Sequence, residues 1–433
     1  MKADRPSFVF VMADDLGHAD LGCYGGRAPV SPNLDRMAAD GVRFTDAYSN
    51  SPVCSPTRCA LMTGRYQYRL RGAAEEPITG KLRGSAELGL PPSHPSLPSL
   101  LADAGYHTAL VGKWHLGFPP HFGPLKSGYR EFFGAYGGLD YFSHCDSSGT
   151  HDLYDGEAET HRIGYLTDLI SERAVRCIGE CAKRAEPFLL SVHYTAPHWP
   201  WETRDDEAES RRIAGAISHT DGGSVRTYQT MIQHMDEGIG RILGALRDHG
   251  IDRDTVVVFT SDNGAERFSD TWPLIGKKMD LLEGGIRVPL IVRSPGRVAA
   301  GKVSGQVTIT MDWVATFFEW AGVAAHADYP LDGESLCAHL AQPDMTTPRT
   351  LYWRMKYRDQ RALRDGPWKY LAIEGDGYLF DLSRDARERA NVVRREPERF
   401  ARMRAMYERW SAMMPGIPPE AQIVLGYTRK ELP

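Results

Sequence analysis

A cysteine in the stretch VCSPTRCALMTGR, residues 53 to 65, raises the first chemical question. Cys54 is followed by a proline two positions later and by Arg58 two positions beyond that. A thiolate is a nucleophile and a metal ligand, and an arginine can hold an anionic group by charge-assisted hydrogen bonds. The short pattern is weak by itself. Direct attack by the thiol is one interpretation, although no Cys–His dyad motif adjoins Cys54.

Acidic and amide side chains follow two apolar runs at the points where predicted strands end. Asp14 and Asp15 follow SFVFVMA, and Asp262 and Asn263 follow VVVFTS. Asp and Asn are common turn residues, so either pair alone favours a simple turn. Together at one sheet edge, three carboxylates would repel each other unless a cation lay among them. Because all four ligands are hard oxygens, the pattern predicts Ca²⁺ or Mg²⁺ rather than zinc.

Basic side chains occur in three further segments that adjoin predicted strands. VGKWHLG contains Lys113 and His115, YTAPHWPW contains His198, and GKKMDLLEGGIRVP contains Lys277 and Lys278. A lone histidine is more often structural than catalytic, and a lone lysine usually lies at the surface. Gathered beside the aspartates, they would form a cationic pocket for an anionic group. We therefore predict a site that combines a metal ion with positive side chains.

The elements that must position these residues alternate between short apolar runs and amphipathic helices. This alternation predicts an α/β fold with a mostly parallel central sheet and helices on both faces. In such sheets the functional site lies at the carboxyl ends of the strands. The predicted strands include residues 7–12, 107–112, 188–194, 255–264 with its polar end, and 288–296, and the predicted helices include residues 32–40, 163–184, 225–249 and 312–321.

The pattern of predicted secondary-structure elements changes after about residue 345. Short β-type runs separated by glycine turns precede an amphipathic helical segment, EPERFARMRAMYERWSAMM. We predict a catalytic α/β domain over residues 1–345. Residues 346–433 are predicted to form a small C-terminal subdomain of antiparallel strands and a terminal helix.

The overall composition favours an ordinary globular protein. Its 433 residues carry a formal net charge of −5, so we expect neither a nucleic-acid partner nor a membrane partner. The seven cysteines show no disulfide framework or zinc spacing. The N-terminal segment lacks the long apolar region of a secretory signal in this numbering, and we expect a cytoplasmic location.

Six motifs in order carry a family resemblance. CSPTR followed by CALMTGR resembles the signature of the type I sulfatases, and GYHTALVGKWHLG is similar to the second signature of that family. ADD, APHWP, SDNG and GKKMDLLEGGIRVP occur in the family order, and the resemblance extends to ALRDGPWKYL near the C-terminus. It implies an alkaline-phosphatase-like fold and a sulfatase, a hydrolase of sulfuric esters.

The resemblance also implies that the thiol is a precursor. In this family the signature cysteine is oxidised to formylglycine by a formylglycine-generating enzyme, and here only Cys54, not Cys59, has the proline and arginine at the required offsets. One hydroxyl of the hydrated aldehyde would attack sulfur and form a covalent sulfo-enzyme. The second hydroxyl would then lose its proton, so that the aldehyde re-forms and sulfate is expelled.

Site residues follow from the resemblance by matched position. One divalent ion, with Ca²⁺ the usual choice and Mg²⁺ or Mn²⁺ possible, would be held by converted Cys54, Asp14, Asp15, Asp262 and Asn263. Arg58 would hold the diol, Lys113 and Lys278 would bind the sulfate oxygens, His198 would protonate the leaving oxygen, and His115 would act as the base in elimination. Lys278 is preferred over Lys277 because it lies five residues before Glu283.

Several alternatives stay open at the level of sequence. A phosphonate or phosphate ester hydrolase of the same superfamily is the nearest rival, and a catalytically silent binding protein on this fold is a third possibility. The sulfated substrate could be an aryl, carbohydrate or other alkyl sulfate. The sequence leaves the oligomeric state open.

Overall fold

The structure is a computed structural model that describes residues 5–184, 186–218 and 221–425. The strands are β1 (Ser7–Ala13), β2 (Val42–Phe44), β3 (Ala47–Tyr48), β4 (His107–Lys113), β5 (Glu131–Ala135), β6 (Tyr154–Asp155), β7 (Ala158–Glu159), β8 (Phe188–His193), β9 (Thr255–Ser261), β10 (Leu290–Arg293), β11 (Lys302–Ser304), β12 (Thr308–Ile309), β13 (Thr350–Met355), β14 (Gln360–Asp365), β15 (Trp368–Ile373) and β16 (Asp376–Asp381).

The α-helices are α1 (Pro32–Ala39), α2 (Cys54–Thr63), α3 (Leu97–Asp103), α4 (Leu166–Cys181), α5 (Glu207–Ile213), α6 (Val225–Asp248), α7 (Glu283–Ile286), α8 (Asp312–Ala321), α9 (Cys337–Ala341) and α10 (Pro397–Ala412). The longer α-helices α4, α6 and α8 lie where they were predicted, whereas α2, α5, α7 and α9 were not predicted. No helix in the described ranges is both long enough and apolar enough to span a lipid bilayer.

A central sheet of ten strands dominates the described part of the chain, in the order β11-β2-β10-β9-β1-β8-β4-β5-β6-β7. The inner strands β9, β1, β8, β4 and β5 run parallel, whereas β10, β6 and β7 pair antiparallel with their neighbours. Apolar cores cover both faces, with α1, α4 and α6 on one and α2, α3 and α8 on the other. The predicted fold class is confirmed.

The parallel strands at the centre of the sheet determine where the site lies. Strands β1 and β9 are adjacent, with Ala13 paired in register with Ser261. The residues that follow them therefore emerge side by side. Strand β4 is separated from β1 only by β8 and ends at Lys113. The polar segments predicted from the sequence thus share the carboxyl edge of the sheet.

The C-terminal region forms a four-stranded antiparallel sheet, β13 to β16, covered by α10. Its core is continuous with residues of the large sheet region, because Tyr48, Val53 and Met279 belong to the same apolar cluster as Trp353. The subdomain elements therefore match the expectation, and a domain boundary between residues 345 and 346 stays a prediction.

Candidate active site

Four acidic or thiol side chains converge at the carboxyl ends of β1 and β9. The possible ligand atoms of Asp14, Asp15, Cys54 and Asp262 all lie within 4.8 Å of one another. The backbone holds them there, since the amide of Asp262 donates to the carbonyl of Ala13 at 3.1 Å. All four side chains are buried. A cation at this point would relieve the repulsion among the three carboxylates.

Asn263 supplies a direct test of whether these residues fit a metal ion. Its Oδ1 is buried and accepts no hydrogen bond from the residues that the structure describes, while its Nδ2 donates to Asp15 Oδ1 at 2.7 Å. A buried acceptor without a partner is costly, and a cation beside the carboxylates would satisfy it. The described residues therefore offer a hard oxygen set that suits Ca²⁺ or Mg²⁺.

Three buried cations face the three carboxylates. Lys113 Nζ lies 2.5 Å from Asp14 Oδ2, and Lys278 Nζ lies 2.7 Å from Asp15 Oδ2. The third cation is the guanidinium of Arg58, which donates twice to Asp262 Oδ2, at 2.8 and 3.0 Å. Burying unpaired charges would be prohibitive, so the three pairs make this polar centre compatible with the core around it.

Helix α2 fixes the position of Arg58 relative to Cys54. The two residues are four apart, so they project from the same face of the helix. Cys54 is the first residue of α2, and its Sγ lies 3.2 Å from Asp14 Oδ1. The preceding loop is tied to the helix, because the amide of Ser51 donates to Thr57 Oγ1 at 2.9 Å.

The pKa values of the acidic groups differ despite their proximity. Burial would raise the pKa of Asp14, but Lys113 and the other nearby cations hold it well below its usual range. Burial raises the pKa of Asp15. Burial, followed by the negative charge of Asp14, raises the pKa of Asp262 to about 7. Lys278 has a raised pKa despite its burial, because Asp15 favours its charged form. The three neighbouring carboxyl groups therefore differ in their affinity for a proton.

Two histidines flank the cluster, and each has one ring nitrogen anchored to a backbone carbonyl. His115 donates from Nε2 to Ile78 O at 2.5 Å, which leaves the buried Nδ1 without a partner as an acceptor. His198 Nδ1 donates to Trp199 O at 2.6 Å, and its Nε2 lies 3.7 Å from Asp15 Oδ2. Burial, followed by nearby lysines, lowers the pKa of both rings well below the ordinary value. These lowered pKa values favour the neutral form of both rings.

These groups open into a pocket of about 390 Å³ whose wall includes Cys54, Lys113, His115, His198 and Lys278. The structure thus brings every predicted site residue to one place, either in the wall or in the cluster beneath it. Lys277 is outside the described lining, so the choice of Lys278 agrees with the geometry. The chemical roles of these residues stay predictions.

Sequence reasoning missed the outer wall of the pocket. Arg83, Asp146, Asp152 and Trp199 line it, although no motif marks the first three. Two further lining residues, Val424 and Leu425, come from a C-terminal segment whose backbone pairs with that of Glu76. Only the folded chain brings these distant segments together.

The loop GGLDYFSH, residues 137–144, contributes both to the wall and to its support. Gly137 and Gly138 line the pocket, where they leave space for a ligand. The buried Tyr141 donates its hydroxyl hydrogen to the carbonyl of His198 at 2.9 Å. This hydrogen bond from Tyr141 therefore helps to hold His198 in position at the pocket wall.

Comparison with known proteins connects this geometry to a family. The family model described as Sulfatase matches residues 6–323. The chain belongs to the sulfatase family. The family also confirms the predicted enzyme class, a sulfuric ester hydrolase of the alkaline-phosphatase-like superfamily that acts on a sulfated compound.

Individual relatives span most of this sulfatase. It is 34% identical to N-acetylgalactosamine-6-sulfatase of Mus musculus, over 81% of this chain and 69% of that protein. It is 27% identical to steryl-sulfatase of Homo sapiens, over 96% and 90% of the two chains. A solved structure of Ps i-CgsB in complex with k-i-k-neocarrahexaose superposes with a TM-score of 0.85 and 29% identity, covering 96% of this chain and 95% of that one.

Proposed function

We propose that this sulfatase cleaves sulfate monoesters with a formylglycine made from Cys54, through a covalent sulfo-enzyme. The supporting observation is the position of Cys54 at the start of α2, in the pocket wall and 3.2 Å from Asp14. Arg58, Lys113 and Lys278 surround this point with positive charge. The arrangement suits a tetrahedral anion bound directly above residue 54.

The thiol itself is a poor candidate for the nucleophile. A helix N-terminus favours a thiolate, but burial outweighs this effect, and together with Asp14 and Asp262 it raises the pKa of Cys54 well above its ordinary value. The raised pKa disfavours the thiolate form that would attack. An oxidised form with hydroxyl oxygens would also match the hard oxygen ligands around it.

The proposed first step transfers the sulfuryl group to residue 54. Lys113 and Lys278 bind the sulfate oxygens and stabilise the charge that develops on them. A hydroxyl of the hydrated aldehyde releases its proton to solvent and forms an O–S bond, while the bond between sulfur and the ester oxygen breaks. His198 supplies a proton to the departing oxygen from Nε2, and the negative sulfate raises the proton affinity of this ring on binding.

The proposed second step releases sulfate without a new attack on sulfur. His115 Nδ1, the free acceptor of a ring fixed through Nε2, takes the proton from the remaining hydroxyl. The C–O bond to sulfate then breaks as the aldehyde re-forms, and water restores the diol. The divalent ion, which we propose to be Ca²⁺ held by Asp14, Asp15, Asp262 and Asn263, would make the attacking hydroxyl more acidic.

The relatives support an alcohol of substantial size as the leaving group. Names of the matched proteins include sulfatases of N-acetylgalactosamine 6-sulfate and of steryl sulfate, and one solved relative is complexed with a neocarrahexaose. We therefore keep carbohydrate and aryl sulfates as substrate classes. Parallel assays with an aryl sulfate and a phosphonate monoester would test the sulfate preference, and efficient cleavage of only the phosphonate would contradict it.

Mass spectrometry and matched cysteine variants test the proposal for Cys54. After co-expression with a formylglycine-generating enzyme, we expect the tryptic peptide that ends at Arg58 to contain the aldehyde. Cys54→Ala should abolish aryl sulfate hydrolysis, whereas Cys59→Ala, a change at a buried cysteine of the same helix, should preserve it. Full activity of the purely thiol form would refute the mechanism.

A serine variant tests the covalent intermediate separately. Cys54→Ser keeps one hydroxyl but lacks the second one that would expel sulfate. We expect this variant to accept a single sulfate group and then stop, with the added sulfate visible on the same peptide. Sustained turnover by Cys54→Ser would contradict the elimination step.

A further inference from the structure

The outer wall of the pocket contains an ion cluster made of Arg83, Asp146 and Asp152. Arg83 Nη2 lies 3.0 Å from Asp146 Oδ2 and 3.1 Å from Asp152 Oδ1. Its guanidinium carbon lies 4.5 Å from the centre of the Phe118 ring, which supports the planar group from one side. All four residues line the same pocket as Cys54.

Hydrogen-bonding capacity in this cluster is only partly used. Asp152 is fully buried, and its Oδ2 accepts from the amide of Gly137 at 2.8 Å. Its Oδ1 forms the ion pair with Arg83 but has no aligned hydrogen bond. A carboxylate offers about four acceptor positions and a guanidinium five donors. Asp152 has no exposed surface, and Asp146 Oδ1 already accepts from Ser148 and Thr150. Arg83 is partly exposed, so its guanidinium is the group that this cluster presents to a bound molecule.

We propose that Arg83, held in place by Asp146 and Asp152, selects a saccharide sulfate by donating hydrogen bonds to hydroxyl groups of the leaving alcohol. This inference rests on the proposed function of Cys54. A sugar hydroxyl oxygen can accept a charge-assisted hydrogen bond from a guanidinium. One cation between two carboxylates leaves the wall without excess positive charge, so a neutral sugar suits it better than an anionic one.

Other leaving groups match this wall less well. An apolar steroid or a plain aromatic ring would cover charged groups without replacing their bonds to water, which is unfavourable. The pocket volume of about 390 Å³ lies near the lower end of small-molecule sites. Arg83 therefore recognises the sugar ring that carries the sulfate as a specificity-determining residue, and Asp152 is a positioning residue that acts through Arg83.

Substrate pairs test the inference. We would measure kcat and KM of Arg83→Gln and Asp152→Asn, in the matured and metal-loaded enzyme, with a panel of sulfated monosaccharides and with a small aryl sulfate. On the best saccharide, kcat/KM should fall about 10- to 100-fold, mainly through KM, because Arg83→Gln removes a hydrogen bond from a charged group and Asp152→Asn weakens the ion pair that positions it. With the aryl sulfate it should stay within about 3-fold, since that substrate does not need these contacts.

Matched variants separate recognition from folding. Arg173→Gln removes an arginine that pairs with Asp155 outside the pocket, and should leave both activities unchanged. Arg83→Lys retains the charge but loses the planar fork, and should show an intermediate loss on the saccharide alone. These comparisons, with thermal unfolding of each protein, identify any variant that is simply misfolded.

The outcomes distinguish failure of this inference from failure of the proposed function. Equal losses on both substrates, or no loss on either, would overturn the role of the cluster. Wild-type turnover of the aryl sulfate without turnover of any sulfated monosaccharide would overturn it as well, while leaving the role of Cys54 intact. If the matured wild-type enzyme cleaves neither aryl sulfates nor sulfated monosaccharides, the proposed function of Cys54 and the proposed role of Arg83 are both refuted.

Discussion

Replacement of Lys278 by methionine tests the anion site most directly. The side chains are similar in length, so Lys278→Met removes the charge while largely preserving the volume. Lys278 is held in place by its own backbone, whose amide donates to Ala265 O at 2.7 Å, and by the next residue, whose amide donates to Pro52 O at 3.1 Å. We therefore expect the loop to persist in the variant.

The structure indicates how large the effect should be. Lys278 Nζ lies 2.7 Å from Asp15 Oδ2, and at an effective dielectric constant of about 20 two such charges attract by about 6 kcal/mol. Desolvation offsets much of this attraction, so breaking the buried pair should lower the free energy of unfolding by about 3–5 kcal/mol. Loss of one charged donor to the sulfate should reduce kcat/KM by about 10²–10³.

The neighbouring lysine provides the control. Lys277→Met removes the same charge one residue away, outside the described lining of the pocket, and should change kcat/KM by less than about 3-fold. Both variants would be assayed with an aryl sulfate, with unfolding followed by circular dichroism. Retention of more than a third of wild-type kcat/KM by Lys278→Met, or an equal loss in Lys277→Met, would refute our assignment of the anion site.

Three further predictions follow from the described contacts. His198→Gln should reduce kcat by about 10²–10⁴ for an alkyl sulfate and far less for a nitrophenyl sulfate, because a good leaving group needs no proton; equal losses would contradict the general-acid role. Burial, and then Asp140, raise the pKa of Glu202 from 4.5 to about 9. The folded state thus holds a proton that the unfolded state releases, and the free energy of unfolding should fall between about pH 4.5 and 9. Glu202→Gln should remove up to about 1.4 kcal/mol per pH unit of that slope, measured by urea denaturation. Asp312→Ala removes the buried partner of Arg349 and should destabilise the protein by about 3–5 kcal/mol, seen in thermal unfolding, with KM for an aryl sulfate unchanged.

Local patterns made much of the fold predictable. Strand β1 was expected over residues 7–12 and spans Ser7–Ala13, because its apolar run is continuous and an acidic pair ends it. Helix α8 was expected over residues 312–321 and occupies that range, with Gly322 in the left-handed conformation after it. The antiparallel pairing of β10 with β9 was not expected, since an apolar run carries no information about strand direction.

The sequence alone determined which residue types meet at the carboxyl edge of the sheet. Asp14 and Asp262 follow buried strands, and Cys54 has its proline and arginine at fixed offsets; such signals are local, so a linear pattern can carry them. Only the tertiary structure decided that the cations pair with individual carboxylates and that Arg83 and Asp152, 69 positions apart by number, meet across the pocket. The reason is physical: distances between side chains on different loops are set by how the whole core packs, and no local spacing encodes them.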